Sequence, residues 1–395
     1  MAIQMDTNEP SPFTQEIIAN IFLKLPIKSL KRFQSVSKSC YSIINSQNFI
    51  NAHLKNRSGS LNNLLVHRFH NPTGSDFSLS LMDYRKPTIS REIKIPFLGS
   101  LIRYPRIVGS VNGLLCLDIS PIHCFNFILW NISIVQFRVL PRPKIAINDV
   151  KNPIWMVATG FGSNQESDDY KLVRIVYFAC DDISIRAEVY SWRTNSWKIL
   201  DLDEKIGDFS ISNGQNGVYF NGCLYWLANG IGDFVNRKYV ISFDLGSENF
   251  TRIKIPEYSG AICAKVLEFQ NSLALAFYPA ANVYPGYGRS LNRIELWVYA
   301  DYDCGIDDDA NSYKQWTRVY YMNMDLNSAH MGYPISVHND DGEVVFKRVS
   351  ADYVNLAFLN PNNHSIKTVP ICHSEYTCQF YNYTSSLVPV TVFGE

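Results

Sequence analysis

The side chains of this 395-residue chain that are capable of chemistry are scattered. Its eight histidines, at 53, 67, 70, 123, 330, 338, 364 and 373, show no H-E-x-x-H or other metal-ligand spacing. His67 and His70 lie three apart, and in a strand that spacing sends them to opposite faces. The nine cysteines include no C-x-x-C and are odd in number, so they spell neither a zinc site nor a disulfide framework. Cys116, Cys180, Cys223 and Cys263 sit in apolar runs, where thiols act as small hydrophobes. His123-Cys124 and Cys372-His373 put a thiol beside a base, but neighbours on a strand point opposite ways, so core or surface roles are expected. The run Asp301-Tyr-Asp-Cys-Gly-Ile-Asp-Asp-Asp309 has the look of a calcium loop. Its glycine comes one place early, however, and Ser312 stands where a bidentate Glu is needed. It reads as a solvated loop or as an electrostatic contact for a basic partner. Gly160-x-Gly162 leads into an acidic polar stretch rather than a helix, and no G-x-S-x-G occurs. No catalytic set, metal or cofactor is therefore expected.

Binding chemistry is the better reading. Tyr278–Arg289 is a long stretch rich in Tyr, Pro and Gly, and exposed tyrosines beside an arginine make good anchors for a protein partner. Tyr284, Tyr287 and Arg289, with Asp307 and Asp308 of the acidic run, are the candidate contacts. The competing reading is a rigid loop packed on its own sheet.

Composition bounds what holds these loops. Apolar residues make up 46%, charged residues 18% and aromatics 13%, a mixture that suits packed β-structure and excludes a largely disordered chain. Net charge is zero, so the basic excess of a nucleic-acid binder is missing. The first 57 residues carry seven Lys/Arg against three Asp/Glu, and the remainder 29 against 33, so the two parts face different partners. No signal peptide and no run of 18 apolar residues is visible, which predicts no membrane span and a reduced cytoplasmic or nuclear setting. The five N-x-S/T sequons are idle in that setting.

Residues 13–55 follow a helical period. Apolar residues at 13, 17, 18, 21, 22 and 25 form one stripe, Thr14 suits a cap, and Pro26 stops this helix and opens the next. Leu30, Phe33 and Val36 continue an apolar face, while Lys28, Lys31, Arg32 and Lys38 occupy the other. So short a bundle must lean on another body, either a partner or the following domain. From about residue 61 the period falls to two, and a strand pair recurs: 127–141, 188–200, 240–256 and 356–370, with a looser copy over 294–319 and an eroded one between Phe77 and Pro96. The spacing averages about 55 residues, near the roughly 50 of kelch-type units. Asn221-Gly222 and Asp341-Gly342 are favoured hairpin turns, and Tyr381–Val392 alternates like a strand able to close a ring. The expected fold is mainly β with a small α domain: helices over 1–57, then a six-bladed kelch-like β-propeller over 58–395. A pair of β-sandwiches is the alternative.

The segment Leu25-Pro-Ile-Lys-Ser-Leu-Lys-Arg-Phe-Gln-Ser-Val-Ser-Lys-Ser39 resembles the F-box, and the likeness extends over 13–54. It departs at Thr14, where proline is usual, and at Cys40, where tryptophan is usual. Gly109-Ser-Val-Asn-Gly-Leu-Leu-Cys-Leu117, 160–173 and the Trp192–Trp197 hairpin resemble the F-box-associated domain of plant F-box proteins. Among these, the S-locus F-box proteins of pollen are a close overall likeness. The resemblance implies a substrate-recognition subunit of an SCF ubiquitin ligase, which is not itself an enzyme. Leu25, Pro26, Leu30, Phe33 and Val36 match positions that fill the groove of a Skp-family adaptor, through which cullin and a RING protein are reached. The propeller would hold a client, for the S-locus type a basic pistil ribonuclease. The rivals are a propeller enzyme (glycosidase or oxidase), a scaffold that recruits no client, and a helical cap on the propeller.

Overall fold

Apolar alternation produces strands, and closing the strands into a ring hides their edges. A computed structural model of the chain describes residues 12–58, 63–70, 77–83, 89–95, 105–119, 126–145, 154–178, 184–202, 209–211, 216–231, 238–257, 262–279, 293–302, 313–323, 331–338, 343–349, 352–360, 363, 365–373 and 376–391. Four helices come first: α1 Pro12–Phe22, α2 Ile27–Phe33, α3 Lys38–Asn45 and α4 Gln47–Ser58. Helix α1 starts at Pro12, two residues ahead of the expected Thr14 cap, because proline suits a first turn. Pro26 takes the N-cap position of α2, and its carbonyl accepts from Ser29 N and Leu30 N. Ser37 caps α3 by accepting from Cys40 N at 3.1 Å.

Six antiparallel sheets follow, each a propeller blade. Blade I spans Tyr376–Tyr383, Asn63–His70, Phe77–Asp83 and Ile89–Ile93, from the innermost strand outward. Blades II to VI begin on the inner strands Arg106–Val111, Ile154–Asn164, Phe209–Ile211 together with Val218–Phe220, Ile262–Phe269 and Met331–His338. Middle strands such as Asp169–Phe178 are buried along their whole length, whereas the outer Gln136–Val139 is largely exposed. The core is divided accordingly. Six apolar clusters fill the wedges between neighbouring blades, and the II–III cluster also takes in Phe22, Ile27, Leu30, Ile44, Phe49 and Ile50 of the bundle.

The expected strand pairs are the two outer strands of each blade. The Asn221-Gly222 turn has positive φ at both residues, as a tight hairpin requires, and Asn112-Gly113 does the same in blade II. Asp341-Gly342 lies outside the described residues. The ring does close through the C-terminus, but on Tyr376–Tyr383, paired residue for residue with the first strand after the bundle. This strand starts and ends earlier than the alternation over Tyr381–Val392 suggested. Residues 384–391 leave the sheet and cross blades II and III as a tail. Asn131 Nδ2 donates to Ser386 O at 3.1 Å and Val388 O at 2.8 Å, and Trp192 Nε1 donates to Val390 O at 2.9 Å. Leu387, Val388 and Val390 are buried in the II–III cluster.

Candidate functional site

Chain direction fixes which end of the propeller carries what. Helix α4 ends at Ser58 and the next strand begins at Asn63, which pairs with Tyr383 just before the tail. Bundle and tail therefore share one end, here called proximal. Turns between first and second, and between third and fourth, strands of a blade lie at that end, because antiparallel strands alternate in direction. Loops between second and third strands, and links between blades, lie at the distal end.

On the bundle, the side chains divide sharply into two groups. Leu30 is fully buried (0% exposed), Leu25 is half-buried, and Pro26 is exposed; Phe33 (37%) and Val36 (68%) keep much of their surface. Leu30 therefore departs from the expected adaptor-filling set, because its side chain already fills the bundle's own core. His53 is buried and its Nε2 lies 3.1 Å from Leu25 O, tying α4 to the turn between α1 and α2. Phe33 rests against Phe22 with ring centroids 5.2 Å apart. Two further exposed apolar residues, Ile17 and Ile21, lie one helical turn apart on α1, and Tyr41 adds a third on α3. Their signal was present in the sequence: apolar pairs at 17/18 and 21/22 make a stripe wider than one core needs. Ile18 and Phe22 serve the core, and Ile17 and Ile21 face out. Lys28, Lys31, Arg32 and Lys38 are all exposed, and Glu16 is the sole acid within 12–58. Exposed apolar side chains and exposed cations thus share the outside of the bundle.

Tyr284, Tyr287, Arg289, Asp307 and Asp308 lie outside the described residues. The strands that flank them are described, and they separate the two groups. The tyrosine-rich stretch leaves Pro279 and returns at Arg293, at the distal end of blade V, whereas the acidic stretch leaves Tyr302 and returns at Tyr313, at the proximal end. The Arg293–Tyr302 strand runs between those ends, roughly 30 Å at the usual rise per residue. Trp155, more than half exposed on the inner strand of blade III, and Tyr353, stacked on His373 at 4.9 Å in blade VI, add aromatic surface at the distal end.

The buried carboxylates serve the fold. Glu188 faces Arg174 across two strands of blade III in a close ion pair, both fully buried, and its second oxygen accepts from Lys144 N and Ile145 N. Asp169 accepts from Ser191 Oγ at 2.7 Å and Arg193 N at 2.9 Å, and Glu248 bridges Lys171 and Lys198. His373 stacks on Tyr353, which gives its ring a partner other than the neighbouring Cys372. No group of three or more His, Cys, Asp or Glu with metal-holding geometry occurs among the described residues.

The model of the F-box associated beta propeller domain matches residues 81–390. The chain belongs to that family. The F-box domain model matches residues 13–51, the segment that forms the bundle. The Arabidopsis thaliana F-box protein CPR1 is 24% identical over 94% of this chain and 88% of its own length. Putative F-box only protein 9 of the same plant is 20% identical over 96% of each chain. Among solved structures, TolB from Acinetobacter baumannii covers 87% of this chain and 73% of its own at 9% identity, with a TM-score of 0.44. An F-box followed by an F-box-associated propeller is thus the arrangement of this chain. Among its described residues, no helix is long and apolar enough to cross a membrane.

Proposed function

We propose that this protein is the substrate-recognition subunit of an SCF-type ubiquitin ligase, with the F-box seated on a Skp-family adaptor and the propeller holding a client for ubiquitination. The adaptor links it to cullin and a RING protein. The observation that carries this reading is the apolar surface of Ile17, Ile21, Pro26, Phe33 and Val36, left uncovered by a bundle whose opposite side merges with the propeller core. An inward-turned helical cap has no use for such a surface, which favours a partner over the cap reading. Exposed lysines and Arg32 on the same bundle favour an acidic adaptor and speed its arrival. Client contact is assigned to the distal end, away from the adaptor, with Trp155, Tyr353 and the Tyr284, Tyr287 and Arg289 stretch as its candidates. Asp307 and Asp308, anchored proximally, are the weaker part of that set. Within this role, the S-locus likeness makes a basic pistil ribonuclease the first client to test, and the cytoplasm, with the nucleus, the compartment to look in.

Co-expression with a Skp-family adaptor tests the assignment. The wild-type chain is expected to co-purify with adaptor and cullin, and a Phe33→Asp/Val36→Asp chain to purify alone. Equal recovery of adaptor by both would reject it. Proximity labelling with the proteasome inhibited then names the client, and absence of the transcript from pollen would exclude the S-locus version.

A further inference from the structure

We propose that Cys372 and Cys378 form an oxidant-reactive thiol pair that closes to a disulfide when it meets a hydroperoxide, a modification site independent of the ligase reading. Cys372 is the penultimate residue of the outer strand of blade VI, and Cys378 lies three residues into the ring-closing strand of blade I. The two side chains meet in the apolar wedge between these blades, Cys378 fully buried and Cys372 half-buried. Cys372 packs against the cluster that holds Cys378, and the two thiols are close enough to influence each other's ionisation. Two cations frame them. Arg68 is the direct cross-strand partner of Cys378, and Lys347 Nζ donates to Cys378 O at 3.0 Å. The cysteines differ in readiness as a result. The neighbouring Cys378 thiol, with help from Arg68 and Lys347, draws the Cys372 thiol below its ordinary range against the opposing effect of burial, while the same neighbour and burial push Cys378 up. Cys372, half-buried, is thus the more accessible and more readily ionised sulfur, and the buried Cys378 is its resolving partner, an arrangement typical of redox-responsive pairs.

The chemistry balances with hydrogen peroxide as the only oxidant. The Cys372 thiolate attacks one peroxide oxygen; an S–O bond forms, the O–O bond breaks, and the departing hydroxide takes a proton to become water. Cys378 Sγ then attacks Cys372 Sγ, forming S–S and breaking S–O, and the Cys378 proton leaves with the second water. Two thiols lose two electrons, and one peroxide gains them. The bridge would span the single link by which blade VI passes into the ring-closing strand, at the distal end assigned to the client.

The test uses the full-length chain, reduced, exposed to graded hydrogen peroxide, blocked with iodoacetamide and read by non-reducing peptide mass spectrometry. The expected product is a Cys372–Cys378 cross-linked peptide, with Cys372 consumed about tenfold faster than the similarly half-buried Cys40 and Cys263. Cys378→Ser is expected to halt the reaction at a Cys372 sulfenic acid that dimedone captures. Consumption of Cys372 no faster than Cys40 and Cys263, or its bridging to any thiol other than Cys378, would overturn the proposal. Both readouts come from the wild-type chain, so a variant that fails to fold does not blunt the test.

Discussion

Leu30 and Val36 are six residues apart in one F-box; the structure buries one and exposes the other, and the proposed function gives them different jobs that thermodynamics can separate. Leu30 has no exposed surface, and a buried Leu→Ala change costs about 2–5 kcal/mol through lost transfer energy and the cavity left behind. Such a loss is of the order of a domain's whole stability, so Leu30→Ala is expected to melt the bundle and abolish adaptor binding only as a consequence. Val36 still exposes 68% of its surface. Full burial of such a side chain is worth roughly 1.5–3 kcal/mol, so the two thirds still open can contribute about 1–2 kcal/mol on docking. Its removal weakens binding by about 5–30-fold, and Val36→Asp adds the desolvation of a carboxylate. Titration calorimetry of each purified variant against a Skp-family adaptor, paired with thermal unfolding, reads both quantities. Val36→Asp should unfold like wild type and bind at least about tenfold more weakly, while Leu30→Ala should unfold early. If Val36→Asp binds as wild type while folded, the outward face is not the adaptor surface.

Further expectations follow from the buried polar groups. Arg174→Met leaves Glu188 charged and enclosed, and should cost about 3–5 kcal/mol by denaturant unfolding, with less than full recovery in Arg174→Met/Glu188→Leu because Lys144 N and Ile145 N also lose their acceptor. Burial pushes the His67 imidazole down to about 4, against the side chain of its cross-strand neighbour Gln379, which raises it. The unfolded chain takes up that proton first, so this contribution is complete above pH 6.5 and falls by ~3 kcal/mol as pH drops from 6.5 to about 4. His67→Gln should flatten that part of the stability–pH curve. Asn131→Ala should speed amide exchange over 384–390 and cost about 1–3 kcal/mol, since the carbonyls of Ser386 and Val388 lose their donor; unchanged exchange would mean the tail is held by its apolar side chains and Trp192 instead. Raising salt should slow adaptor association more than it speeds release, a signature of steering by Lys28, Lys31, Arg32 and Lys38.

What could be read from the residues alone was whatever is repeated or local. The hairpins of blades II to VI announce themselves because a two-residue alternation with a polar turn admits few other structures, and with the eroded copy of blade I they make the six units of a closed ring. The Leu25-Pro26 step and the lysine-flanked α2 segment were equally plain. The split of α1 into two faces was not, because Ile17 and Ile18 are chemically alike and only the packed bundle decides which turns inward. The closing strand was misplaced for a related reason. The alternation continues through Ser386, Val388 and Val390, yet the ladder with Asn63–His70 ends at Tyr383, and the chain then bonds to Asn131 and Trp192 from a separate part of the sequence. The two client groups were joined because both are rich in recognition chemistry, and only strand direction shows that they leave from opposite ends of blade V.

The tail explains how a small bundle can serve as a precise handle. Alone, the four helices are too few to bury a stable core. Instead Leu387, Val388 and Val390 join Phe22, Leu30, Ile44 and Ile50 in one apolar cluster with Val111, Leu114 and Trp192 of blades II and III. Gly113 permits the close approach this requires: its φ is +78°, and a Cβ there would lie 2.7 Å from Thr384 O and collide with Ser386 Oγ. The strand preceding the tail also closes the ring, so one segment of about sixteen residues, 376–391, both completes the propeller and seats the F-box on it. In the proposed function, adaptor binding at Val36 and client binding at the distal loops would be referred to one shared apolar core. That is the condition under which a ligase can present its client's lysines at a fixed distance, and it makes the tail's contacts, which belong to neither binding surface, as necessary to the proposed function as the surfaces themselves.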